Sequence, residues 1–174
     1  DGQLGTGDTI YRSTFTQVIL PGSGVVSISA RGDHSLILKE DGSVWATGDN
    51  EYGQLGTGDT TDRSTFKKVV SSDVAAIAAG GGYSLILKDN GSVWATGSSY
   101  SGRLDTDRST FTQVVSSGVV DIAAGINYSL ILKDNGSVFW APGDSSSTFT
   151  QIVSSDVAAI AAGFLHSLIL KDNG

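Results

Sequence analysis

The chain has 174 residues, eleven of them Lys or Arg and eighteen Asp or Glu, for a formal net charge of −7 at pH 7. The bases gather into no patch, which argues against nucleic acid and an anionic membrane as partners, because both attractions rest on clustered Lys and Arg. Cysteine is absent, which removes disulfides, thiolate nucleophiles and cysteine-based zinc sites, and methionine is absent even at position 1, so the chain reads as processed or as a piece of something longer.

Self-similarity organises the rest. Residues 1–12 open on Gly2-Gln3-Leu4-Gly5 and read as the tail of a preceding unit. An "STF" triplet then marks each unit start, at Ser13, Ser64, Ser109 and Ser147, so the expected units are 13–63, 64–108, 109–146 and 147–174. "SLIL" follows in each, at Ser35, Ser84, Ser129 and Ser167. The front of the unit is nearly fixed in length, and the shrinkage from unit to unit lies behind "SLIL".

Within a unit, "FTQVV" or "FKKVV" predicts a first strand, β-branched and bounded by Ser, Asp and Gly. "VAAIAAG" predicts a second, whose small residues suit a place where sheets crowd together. "YSLILK" predicts a third. Its apolar run is continuous rather than alternating, as in a strand covered on both faces. "KDNG" or "KEDG" is a hairpin turn, since Gly, Asn and Asp tolerate positive φ. "SVWATG" predicts a fourth strand. Helical caps and a 3.6-residue period are missing, so the chain is expected to be all-β. Four-stranded units of this length describe the blades of a β-propeller, with about four blades present. A parallel β-helix fits less well, because its repeats are shorter and lack such hairpins.

The third unit departs from the pattern with "VFWAPG" in place of "VWATG". The added residue flips the side chains beyond it unless a bulge absorbs it, and Pro142 removes a ladder donor. An irregular outer strand or edge is expected there. Trp45, Trp94 and Trp140 recur in the fourth strand and suggest packing between blades, with carbohydrate stacking as the alternative.

"IAAGGGYSLILKDNGSVWATG" (Ile77–Gly97), "DNEYGQLGTGD" (Asp49–Asp59) and the "HSL" triplets at His34 and His166 resemble the repeat of the regulator of chromosome condensation family. The resemblance covers essentially the whole chain. It implies a propeller, in most members a seven-bladed one, so this chain is expected to be part of a larger ring or half of one completed by another copy. "GQLG" has decayed to "GRLD" at Gly102–Asp105 and is gone after the third unit.

Few motifs carry chemistry. His34 and His166 share their slot with Tyr83 and Tyr128, and a catalytic histidine does not interchange with tyrosine, so a structural, half-buried ring with a hydrogen-bond partner is expected. The acidic, glycine-rich stretches at 49–53 and 56–62 lack the ligand spacing of a calcium loop and read as solvated turns. "GQLGTGD" lacks the lysine and helix of a phosphate loop. No catalytic residue, metal site or cofactor is expected.

The two letters after each "AAG" (or "ARG") vary: Gly32-Asp33, Gly81-Gly82, Ile126-Asn127 and Phe164-Leu165. Variable tips on a fixed frame are how rigid scaffolds carry recognition, though unconstrained drift gives the same pattern. The resemblance includes a bacterial secreted branch containing a β-lactamase inhibitor protein, which grips its target through these loops. It implies a partner-binding set of Asp33, His34, Gly82, Tyr83, Asn127, Tyr128, Phe164 and Leu165, an extracellular or cell-surface bacterial setting, and another protein as partner. A non-enzymatic protein-binding scaffold is the expected function. Nucleotide exchange on a small GTPase, implied by the eukaryotic branch, and a propeller hydrolase or carbohydrate-binding module are the alternatives.

Overall fold

A computed structural model describes residues 1–20, 22–99, 107–143 and 148–174. The "GRLD" segment lies outside them, as does most of the "GDSSS" stretch after the third unit. Among the described residues all fourteen regular elements are strands. The first sheet is β1 (Val25–Arg31), β2 (His34–Lys39), β3 (Val44–Gly48) and β4 (Arg63–Val70). The second is β5 (Val74–Ala79), β6 (Tyr83–Lys88), β7 (Val93–Gly97) and β8 (Arg108–Val115). The third is β9 (Val119–Ala124), β10 (Ser129–Lys133), β11 (Val138–Ala141) and β12 (Thr150–Val153), and β13 (Val157–Ala162) with β14 (Ser167–Lys171) begins a fourth. Each is an antiparallel meander in sequence order, which is a propeller blade.

Every blade starts on the small-residue strand and, in the first three, closes on the "STF" strand of the following unit. "SVWATG" is therefore the third strand, with the next unit's first strand outside it. Each of these blades draws on two repeat units, so neighbouring units are interlocked. The small-residue strands β1, β5, β9 and β13 pack in succession. Alanine at most positions of β5 and β13, and small residues at the ends of β1 and β9, let the sheets converge there.

The cores lie between blades rather than inside them. One joins Leu36, Val44 and Leu55 of the first blade to Ile77 and Ile86 of the second. Another joins Leu85 and Val93 to Ile122 and Ile131, and a third joins Leu130 and Val138 to Val157. The central "LIL" strand is covered on both faces, as its continuous apolar run requires.

The turns are the expected hairpins, and they also link blades. The carbonyls of the turn glycines Gly42, Gly91 and Gly136 accept hydrogen bonds from the amides of Val74, Val119 and Val157, each at the start of the next blade. The residue just before that start has positive φ: 66° at Asp73, 75° at Gly118 and 65° at Asp156. Two of these three are aspartates held in a region that L-residues enter at a cost.

The third unit differs from the expectation. Its hairpin turn fixes the count, so Phe139 pairs with Ile131 as Trp94 pairs with Ile86, and Trp140 pairs with Leu130 as Ala95 pairs with Leu85. No bulge interrupts this ladder. The extra residue instead moves Trp140 off the tryptophan slot, leaves it exposed and gives its inter-blade packing to Phe139. β11 stops at Ala141, before the proline that has no amide to donate. In the first blade the same slot holds Trp45, whose indole donates to Ser43 Oγ at 3.2 Å under the Lys39 ammonium.

Candidate functional site

The loops after β1, β5, β9 and β13 meet at one end of the blades. Beneath them the ring slot holds His34, Tyr83, Tyr128 and His166. The Tyr83 hydroxyl donates to the carbonyl of Tyr128, with the Gly125 carbonyl 3.5 Å away, and accepts from Ser129 Oγ at 3.0 Å. The Tyr128 hydroxyl makes the same step onward, to the carbonyl of His166, with that of Gly163 at 3.2 Å. Each tyrosine thus bolts its blade to the next. The ring lies flat over the glycine three residues before it, and a Cβ on Gly80 or Gly125 would fall within the Tyr83 or Tyr128 ring. That close approach is why "AAG" ends in glycine.

His34 does the same with different chemistry. Ser84 Oγ donates to the Gln54 carbonyl at 2.7 Å, so it meets His34 Nε2, 2.9 Å away, as an acceptor. This makes His34 the neutral Nε2–H tautomer and leaves Nδ1 without a partner. Burial pushes the His34 pKa down to about 4, against the smaller opposing pull of Asp49. The ring is fully buried where a half-buried one was expected.

The "GQLG" loop is a wedge at the same seam. Gln54 donates its amide to Asp49 Oδ2 at 2.7 Å, Leu55 enters the core between the first two blades, and the Gly53 carbonyl takes the Thr96 hydroxyl at 2.8 Å. A Cβ on Gly53 would lie 2.5 Å from Ser109 Cα, so backbone packs directly on backbone. Beyond it Asn50 Nδ2 reaches the Asp59 and Thr61 carbonyls, and Asp59 accepts from the Thr61 amide and from Arg63, which hold its carboxyl down at about 2. The acidic loop is tied up within itself. Among the described residues no three acidic, histidine or cysteine side chains are placed to hold a metal.

The loop-tip residues split into two groups. His34, Tyr83 and Tyr128 are buried in seams, so their rings position the loops instead of offering a surface. Gly82 is half-buried near Tyr52. Asp33, Asn127, Phe164 and Leu165 are exposed, Phe164 by 61% and Leu165 by 75%. The second and third tips are held by their neighbours: the Gly81 amide donates to the Ile126 carbonyl at 3.0 Å, and the Ile126 amide to the Phe164 carbonyl at 3.2 Å.

Arg31 was not among the residues singled out from sequence. It stands where the sister blades have Gly80, Gly125 and Gly163, and its Nη2 donates to the Ala162 carbonyl at 3.1 Å, from the first blade to the fourth. The signal was Ser29-Ala30-Arg31 standing where the sister units read "AAG".

A family model described as regulator of chromosome condensation (RCC1) repeat matches residues 25–54 and 74–103, and a second of the same description matches 41–87. Residues 25–103 carry regulator of chromosome condensation repeats. The X-linked retinitis pigmentosa GTPase regulator of Mus musculus is 42% identical over 72 residues, 40% of this chain and 7% of that protein. The ultraviolet-B receptor UVR8 of Arabidopsis thaliana is 38% identical over 74 residues, 41% of this chain and 17% of its own length. Both relatives are eukaryotic, so these comparisons do not show the bacterial, secreted setting expected from the loop resemblance. Human WBSCR16 superposes with a TM-score of 0.76 at 22% identity, over 90% of this chain and 48% of that one. Prp20p of Saccharomyces cerevisiae, whose binding to Gsp1p and histones has been studied, gives 0.74 at 23%, over 87% and 43%. The repeats thus span less than a fifth of these curated relatives and under half of these solved chains, and the structural likeness establishes the propeller fold.

Proposed function

We propose that the chain is a non-enzymatic protein-binding scaffold that uses the exposed loop tips at the ring-slot end. The observation that carries this reading is the contrast within the tips. The backbones of the second, third and fourth tips are joined by bonds between blades, while Asp33, Asn127, Phe164 and Leu165 differ in chemistry and face solvent. A fixed frame under varied side chains suits recognition by preorganisation. The large pKa shifts have structural causes, burial at His34 and local hydrogen bonds at Asp59, so neither marks an acid–base pair. The test is affinity capture with the intact chain and with a variant carrying Ser at positions 33, 127, 164 and 165, compared by quantitative mass spectrometry. Proteins retained by the parent and lost by the variant are expected. Identical capture by both overturns the reading.

Similarity to a protein named as a GTPase regulator favours one second reading, nucleotide exchange on a small GTPase. Release of labelled nucleotide from a panel of small GTPases tests it. Acceleration by the chain replaces the scaffold reading with a catalytic one.

A further inference from the structure

We propose that Arg31, Phe164 and Leu165 form one composite anchor for a protein loop that carries a single carboxylate beside a large apolar side chain. The inference rests on the loop-tip reading above and names the partner chemistry. Arg31 crosses from the first blade to the Ala162 carbonyl, two residues before Phe164, which places its guanidinium at the base of the loop that carries the exposed Phe164-Leu165 pair. An arginine has five N–H donors in a planar fork, and the Ala162 carbonyl takes one of them. The described ion pairs are Arg12 with Asp8 and Arg63 with Asp59, so Arg31 has no carboxylate of its own among the described residues. An arginine fork fits a carboxylate in two-point contact, and apolar side chains excluding water beside it strengthen that contact.

The surroundings narrow the ligand further. The chain is strongly acidic, and Asp33 stands exposed two residues from Arg31. A polyanion or a run of acidic residues is repelled there, whereas a lone carboxylate can be seated by the fork and its apolar neighbour by Phe164 and Leu165. The Ile126 amide fixes the Phe164 carbonyl at 3.2 Å, so the apolar half of the anchor sits on a held backbone.

The probe is a phage-displayed library of disulfide-closed seven-residue loops, randomised throughout and selected on the intact chain. Enriched loops are expected to carry Asp or Glu within two positions of Trp, Phe, Leu or Ile. Synthetic versions of them should lose about tenfold in affinity on Arg31→Gln, which keeps a donor for Ala162, and a similar factor on Phe164→Ser. Arg31→Glu used as bait should select Lys- or Arg-bearing loops instead. If hydrogen exchange shows that Arg31→Gln loosens the inner strands, Arg31→Lys, which keeps the charge without the fork, is used and should retain part of the binding. Enrichment of loops without acids, or acidic loops indifferent to Arg31, overturns the anchor. Loops sensitive to Phe164→Ser but not to Arg31→Gln overturn the carboxylate clamp and leave the scaffold reading standing. Loops indifferent to every tip substitution overturn both.

Discussion

Leu85 and Leu168 open the same "LIL" run in sister repeats, yet Leu85 is 0% exposed and Leu168 67% exposed. Ile77 and Ile28 make the same contrast on the small-residue strand, at 9% and 77%. Local sequence does not account for the contrast between Leu85 and Leu168, because "VAAIAAG" and "SLILKDNG" are identical in the second and fourth copies. Only the neighbours differ. The second blade is packed on both sides, whereas in this structure β14 and the outer side of β1 have no blade against them. A blade is therefore a half-core, and its burial belongs to the seam. Stability in such arrays is close to a sum of unit and interface terms, and here the interface dominates.

Paired substitutions test that comparison. Leu85→Ala is expected to cost about 3 kcal/mol in urea unfolding, from lost transfer energy plus a cavity, while Leu168→Ala costs under about 0.5 kcal/mol. Equal losses would mean that blades stabilise themselves. His34 offers a titratable seam. Its folded pKa of about 4 lies below the usual 6.5, so the unfolded chain takes up the proton first. The seam's contribution is complete above about pH 6.5 and is lost as pH falls toward 4, to the extent of about 3 kcal/mol. His34→Gln should flatten that acid limb.

Tyr83→Phe removes the hydroxyl that joins the second blade to the third. A loss of about 1.5 kcal/mol is expected, with faster amide exchange at Gly125 and Tyr128. Unchanged exchange there would remove the bolt from the account of the seam. The smallest effect is expected at the blade starts. Asp73→Gly should stabilise by about 0.5 kcal/mol, since glycine adopts the 66° φ without strain but gives the unfolded chain more freedom. A loss would show that the Asp73 carboxylate, which accepts from Ser72 Oγ at 2.7 Å, contributes more than the strain costs.

Much of this was legible in the sequence. "LIL" announced a doubly covered strand, "DNG" a hairpin, and "AAG" a crowded inner strand. The His–Tyr interchange marked the ring slot as structural. The blade phase was not legible, because a repeat can be read from any of its strands and only pairing shows that β4 closes the first sheet. Trp140 misled because residue type was matched where the turn-fixed register decides. The loop-tip set mixed seam rings with exposed residues, since adjacency in sequence does not say which side chain turns inward. Arg31 escaped because its meaning depends on a carbonyl 131 residues away.

The backbone bonds from Gly81 to Ile126 and from Ile126 to Phe164 have a consequence for how such a surface changes over generations. Three of the four tips are linked in this way, so a single inserted residue would misalign that row, while a changed side chain would leave its backbone bonds in place. All four tips hold two residues, and all four pairs differ. Among these four repeats the tips differ by letters at fixed addresses, and the loops should resist changes in length far more than changes in identity.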